Sequence, residues 1–251
     1  MTRLAIIGGT GLSSLEGLRL EGEEPVATPW GETSAPLVRG RYAGREVLFL
    51  ARHGNPHVLP PHRINYRANI HALKQAGAEA ILGINAVGGI TPAMTPGSIV
   101  IPDQIIDYTW GRGHTFFEDG LEDVTHVDFT CPYTPALRRQ LVSAAESVHA
   151  PVADGGTYGA TQGPRLETAA EITRMEREGC DLVGMTGMPE AALARELGLD
   201  YAAICMVVNH AAGKTGEEIT MDMIRDNLDE CIGKVHALLA AVIERLVIRE
   251  S

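Results

Sequence analysis

The stretch YAAICMVVNHAAGK, residues 201–214, holds an apolar run that ends abruptly at Asn209. Residues 201–208 have no polar alternation, which is the pattern of a strand covered on both faces rather than one side of an exposed sheet. An amide at the end of such a strand marks a place where the sheet meets something other than core. Similar apolar runs lie near 3–8, 46–51, 79–85, 98–103, 155–161 and 181–185. Helical periodicity lies near 65–76, 134–148, 167–178, 188–197 and 222–248. Strands alternating with helices predict one α/β domain over residues 1–251, with a mixed, mostly parallel, twisted sheet flanked by helices. The segment 107–133, rich in His, Asp and Gly, reads as a long loop and a candidate lid.

Composition narrows the function classes. A chain of 251 residues with 45% hydrophobic side chains can bury a sizeable core. The opening MTRLAIIGGTG lacks the pattern of a signal peptide, and no apolar run approaches the roughly 18 residues of a membrane span, so a cytoplasmic, membrane-free protein is expected. The net charge of -11 argues against a nucleic-acid partner, because phosphate neutralisation needs clustered Lys and Arg. Cys131, Cys180, Cys205 and Cys231 are scattered, with no CxxC pair, and are expected to be reduced thiols rather than metal ligands.

Open α/β sheets bind ligands at the carboxyl ends of their strands, so the polar strand ends are the candidate chemistry. The first, IIGGTGL (6–12), is not a GxGxxG, and no acidic residue closes a second strand about 20 residues on, which disfavours a dinucleotide fold. Its amides and the Thr10 hydroxyl can still cradle an anion. In LARHGNPH (50–57), Arg52 offers a planar fork suited to phosphate and His53 a further donor. An arginine paired with a nearby carboxylate at the surface is the competing reading. GINAVGGI (83–90) places Asn85 and then small residues at a strand exit, where backbone can approach a ligand, although a plain turn would read alike.

Taken in order, GGTG, ARHG, HRINYRANIHALKQAG (62–77), NAVGG, QGPRLET (162–168) and GMTGMPEAALARELG (184–198) resemble the trimeric purine nucleoside phosphorylase and 5′-methylthioadenosine phosphorylase family. The resemblance spans essentially the whole chain. It implies the nucleoside phosphorylase fold, with a partly barrel-like sheet, and phosphorolysis without a cofactor or metal. Inorganic phosphate is then the co-substrate. It further implies that Thr10, Arg52, His53, Ala86 and Thr186 match the phosphate ligands and that Met185 matches the residue packed on the ribose. A homotrimer, or a dimer of trimers, is the implied assembly.

Two matched positions bear on the base. Glu167 falls where 6-oxopurine enzymes of the family carry glutamate; an ionised carboxylate accepts from the N1–H that hypoxanthine and guanine possess. Asn209 falls where those enzymes carry asparagine, whose oxygen can accept from N7–H while its NH₂ donates to O6. Ala211 stands where adenine-specific members carry a second aspartate. Glu167 and Asn209, with His53, form the expected catalytic set; with Ala211 in place of that aspartate, the two base positions predict a 6-oxopurine. At the sugar's 5′ end, EEITMDMI (217–224) offers Met221 and Met223, soft apolar groups that suit a thiomethyl substituent. His126 matches a histidine that reaches a neighbouring subunit's 5′ pocket in methylthioadenosine enzymes.

The expected reaction is therefore phosphorolysis of a 5′-methylthio-6-oxopurine nucleoside to hypoxanthine and 5-methylthioribose 1-phosphate. Inosine/guanosine phosphorolysis, methylthioadenosine phosphorolysis and a non-catalytic nucleotide-binding module stand as alternatives. Without the resemblance, Glu167 reads equally as a first-turn helix carboxylate and Asn209 as a turn residue.

Overall fold

Side chains alternate across a strand, and in the strand β13 (Asp200–His210) the two sets enter different cores. Tyr201, Ala203, Cys205 and Val207 pack on one face with the helices α1 (Tyr66–Gln75) and α4 (Gly187–Glu196). Ala202, Ile204, Met206 and Val208 pack on the other with α2 (Pro135–Ser147) and α5 (Met221–Arg245). Two apolar faces thus explain the unbroken apolar run that the sequence shows. The computed structural model describes residues 3–9, 17–120, 122–216 and 218–246.

The fold is a single α/β domain built on one mixed sheet. The strands β1 (Arg3–Gly8), β6 (Arg45–Ala51), β7 (Ala78–Gly89) and β13 lie side by side and parallel, in the order β13-β7-β1-β6. Beyond β6, the antiparallel strands β5 (Leu37–Tyr42) and β2 (Arg19–Glu24) extend the sheet, and β3 (Ala27–Thr28) and β4 (Gly31–Glu32) form a separate small ribbon. Beyond β13 lie β8 (Ile99–Ile101) and β10 (Val152–Asp154). A branch leaves the end of β7 through β12 (Leu182–Gly184), β11 (Thr157–Ala160) and β9 (Gln104–Asp107). The sheet is forked rather than closed, so the barrel-like part of the expectation resolves into this branch, with no closed barrel among the described residues.

Several boundaries differ from those read in the sequence. The run near 79–85 continues to Gly89, so Asn85 and NAVGG lie inside β7 and not beyond its exit. The strand near 201–208 likewise continues to His210, and Asn209 sits at a register shift against β7 between Val207 and Asn209. A shift of this kind re-aims a side chain without ending the pairing. The runs near 98–103 and 155–161 shorten to β8 and β11, and the neighbouring strands β9 and β10 lie just outside them. The charged strands β2, exposed at the sheet edge, and β5, partly buried between β2 and β6, carry little apolar signal in the sequence.

Glycines admit the close contacts around the ends of β7 and β12, where a Cβ on Gly88 would lie 3.1 Å from Val183 Cγ1. A Cβ on Gly89 would lie 1.8 Å from the Met94 carbonyl oxygen, and one on Gly184 would lie 2.1 Å from the Tyr158 hydroxyl. Since β12 runs antiparallel to β7, with Val183 opposite Gly88, the chain leaving Gly184 heads back over Asn85 and Ala86. Residues 185 and 186 arrive above strand β7 for that reason. None of the helices among the described residues is long and apolar enough to cross a membrane.

Candidate active site

The aligned exits of β1, β6, β7 and β13 open into a cavity of about 350 Å³, a size that holds a small ligand. Gly9, Arg52, His53, Ala86, Gly88 and Asn209 reach it from those four strands, and Met185 and Thr186 from the segment after β12.

Arg52 is 2% exposed, and its guanidinium is already occupied. Its Nε pairs with Glu190 Oε1, and Nη2 donates to Oε2 at 2.9 Å. The remaining contacts are to the Ile84 carbonyl at 2.9 Å and the Ile7 carbonyl at 3.4 Å. Glu190, fully buried in the first turn of α4, also accepts from the Tyr201 hydroxyl at 3.0 Å. Burial alone would lower the Arg52 pKa, but the charge and hydrogen bonds of Glu190 outweigh it and hold the group above its ordinary value. The fork expected to grip phosphate is thus turned chiefly to carboxylate and backbone. A carboxylate partner was anticipated for Arg52, but at the surface and not in the core.

His53 shares its Nδ1 proton with the Leu59 carbonyl at 2.8 Å and stacks on His57 with ring centroids 4.3 Å apart. A carbonyl only accepts, so Nδ1 carries the hydrogen and Nε2 is the acceptor. Burial is the largest influence on this ring and, with the charges of Arg52 and His57, pulls its pKa to about 4 against the pull of Leu59. At neutral pH His53 is therefore an uncharged acceptor at Nε2, where the sequence reading gave it a donor's part.

Thr186 is 7% exposed; its hydroxyl donates to Asn85 Oδ1 at 2.9 Å and its N–H to the Tyr158 hydroxyl at 3.3 Å. Ala86, inside β7, is the exposed position of that strand's buried stretch and faces the cavity. Thr10 lies outside the described residues.

Glu167 and Asn209 both line the cavity. Glu167 precedes the N-cap Thr168 of α3 (Ala169–Arg177), so it is not a first-turn carboxylate; Glu171 holds that place in a capping box. The Thr161 hydroxyl donates to Glu167 Oε1 at 2.6 Å, which orients the carboxylate. Asn209 is 8% exposed and donates one N–H to the His210 carbonyl at 2.7 Å. Ala211 is buried beside it in the cavity wall.

Met221 and Met223 do not line the cavity; they are 62% and 38% exposed in the first turn of α5. The lining comes from Ile219 before the helix and from Ile224, Leu228 and Ile232 along it. Spacings of four residues put those three on one helical stripe, and the two methionines fall off it. That stripe was legible in the sequence and went unread. His126 is exposed on the 108–132 segment, outside this chain's own cavity. The sequence reading also missed Glu190, Thr161 and the buried Arg112, whose setting between Gly111 and Gly113 was the available signal.

The chain belongs to the Phosphorylase superfamily, whose pattern it matches over residues 3–244. It is 61% identical over 243 residues to a protein of Pseudomonas syringae pv. tomato named "Probable S-methyl-5′-thioinosine phosphorylase", covering 97% of this chain and 99% of that one. A 6-oxopurine nucleoside phosphorylase of Pyrococcus furiosus is 45% identical, over 97% of this chain and 92% of the relative. Among solved structures, methylthioadenosine phosphorylase of Schistosoma mansoni in complex with adenine superposes with a TM-score of 0.92 at 32% identity, covering 97% of this chain and 91% of that one.

The buried pair makes a prediction about stability. Glu190→Ala should cost about 3–5 kcal/mol in urea unfolding, because it strands a buried guanidinium, whereas Arg52→Met with Glu190→Leu together should recover most of that loss. A Glu190→Ala protein as stable as the wild type would contradict the pairing.

Proposed function

We propose that the protein catalyses phosphorolysis of S-methyl-5′-thioinosine, giving hypoxanthine and 5-methylthioribose 1-phosphate. It thus acts as a pentosyltransferase of the nucleoside phosphorylase type. The observation that carries this reading is one cavity with Glu167 and Asn209 among its polar groups and an apolar stripe of Ile224, Leu228 and Ile232.

Phosphate occupies the end of the cavity nearest Gly9, His53, Ala86 and Thr186; Thr10, the remaining matched ligand, lies outside the described residues. Two glycine-rich strand exits let main chain approach the anion, and the Thr186 hydroxyl adds a polar contact. Neutral His53 pairs through Nε2 with a protonated phosphate oxygen. Arg52 contributes its positive field and its one uncommitted N–H while Glu190 holds it rigid. Held beneath the sugar, the phosphate oxygen attacks C1′ as the C1′–N9 bond breaks and its electron pair passes into the purine. Positioning of the nucleophile and stabilisation of the oxocarbenium-like charge both come from that bound anion. Met185 packs on the ribose.

The leaving purine needs its N7 protonated or hydrogen-bonded. As the C1′–N9 bond breaks, N7 takes a proton from solvent; Asn209 Oδ1 then accepts from the new N7–H, and its second N–H donates to O6. The free Oε2 of Glu167 accepts from N1–H, since Oε1 is held by Thr161. Adenine presents a bare N1 and an amine at position 6, so both contacts become mismatched. Mismatches of buried polar groups discriminate by about 10⁴-fold. A 5′-methylthio group meets the isoleucine and leucine stripe. A 5′-hydroxyl there would lose its water without a polar partner from α5, which places inosine and guanosine second.

No resident cofactor or metal takes part in this scheme. A homotrimer, or a dimer of trimers, would bring the exposed His126 of one subunit to the 5′ pocket of the next. The setting is the cytoplasm, with no membrane or nucleic-acid partner.

Absorbance assays with and without phosphate test the reaction. Methylthioinosine should be cleaved only with phosphate, and kcat/KM should exceed that for inosine by about tenfold or more, in line with the worth of apolar contacts in a pocket. Turnover of methylthioadenosine alone would contradict the base assignment. Asn209→Asp should lower kcat/KM for the oxopurine by about 10²-fold, the scale of one lost transition-state contact, and an unchanged value would remove Asn209 from the base site.

A further inference from the structure

Arg112 belongs to the segment between β9 and α2, whose described residues form no helix or strand, yet it is only 7% exposed. Its Nη1 donates to the Met185 carbonyl at 2.9 Å, the Met188 carbonyl at 2.6 Å and the Tyr66 hydroxyl at 3.1 Å. Its Nη2 donates to the Thr161 carbonyl at 3.1 Å and the Gln162 carbonyl at 2.9 Å, and its Nε to Gln162 Oε1 at 3.2 Å. Six oxygens share five N–H groups, and no carboxylate is among them. A planar guanidinium is the only side chain that can hold so many acceptors in fixed directions.

What those oxygens belong to gives the arrangement its meaning. Met185 is the cavity residue expected against the ribose, and a fixed carbonyl fixes the peptide plane that carries it. Thr161 and Gln162 are the exit of β11, and the Thr161 hydroxyl in turn holds Glu167 at 2.6 Å. Arg112 itself does not line the cavity. Thr186 is anchored separately, by Asn85 and Tyr158.

On the phosphorolysis reading above, we infer that Arg112 is a positioning residue that joins the sugar-facing Met185 segment to the base-facing Thr161–Glu167 segment, and so sets nucleoside binding apart from phosphate binding. Its flanking glycines make the joint possible. Gly111 has φ +65°, and a Cβ on Gly113 would lie 2.6 Å from Arg67 Nε. The 107–133 segment, expected as a lid, is in this part a fixed brace.

Steady-state kinetics of Arg112→Lys and Arg112→Gln, with methylthioinosine and phosphate varied independently, test the inference. Displacing a positioning element by about an ångström costs up to about 10²-fold. Arg112→Lys should therefore raise the nucleoside KM about tenfold, and Arg112→Gln more, while the phosphate KM stays within about twofold. A merely structural arginine would lower the melting temperature and the active fraction and leave both KM values alone. That result, or a parallel rise in both constants, would overturn the inference. A lysine variant that does not fold would also overturn it, by assigning Arg112 to the fold. A wild-type protein without phosphate-dependent turnover would instead sink the reaction itself, and this inference with it.

Discussion

The buried Arg52–Glu190 pair is the interaction on which the rest of the site depends. One guanidinium touches the carbonyls of Ile7 in β1 and Ile84 in β7, follows directly on β6, and meets a carboxylate of α4 that also takes the Tyr201 hydroxyl from β13. Four parallel strands and a helix are thereby tied at the edge where the cavity opens. Breaking a buried pair leaves an uncompensated charge, so the arrangement tolerates little displacement. Such rigidity is what a site needs if its work is to hold two reactants in line rather than to supply a reactive side chain.

From that anchor the polar groups divide by the strand that carries them. The set proposed to face phosphate hangs on β1, β6 and β7, with Thr186 brought over β7 by the antiparallel turn of β12. The set proposed to face the base hangs on β13 and on the exit of β11, with Asn209 beside Gly88 in register. Small residues at the contacts let main chain come close; a Cβ on Gly88 would lie 3.3 Å from Asn209 Nδ2. Helix α5 closes the remaining side with aliphatic groups, which makes the cavity amphiphilic from end to end.

The architecture was largely legible because burial on both faces leaves long apolar runs. Strands β1, β6, β7 and β13 and the five α-helices of the described residues fall where those patterns put them, within a few residues. The edge strand β2 and its neighbour β5 were not legible, since charged and glycine positions interrupt any apolar alternation in them. In the site, ordered motifs located the cavity residues but not their partners. Glu190 is a glutamate in a helical stretch until folding brings it to Arg52, 138 positions away. Met221 and Met223 were read for their chemistry alone, whereas the helical period would have chosen Ile224, Leu228 and Ile232. The state of His53 depends on burial and on one carbonyl, neither of which a sequence displays.

A crystal structure of the protein with hypoxanthine and phosphate tests the central claim most directly, namely that Glu167 and Asn209 read the edge of a 6-oxopurine. The account predicts hypoxanthine with N1 within about 3 Å of Glu167 Oε2 and its N7 and O6 edge within about 3 Å of the Asn209 amide, the ordinary hydrogen-bond range. A purine bound away from both side chains, or adenine bound in the same pose with equal affinity, would contradict it.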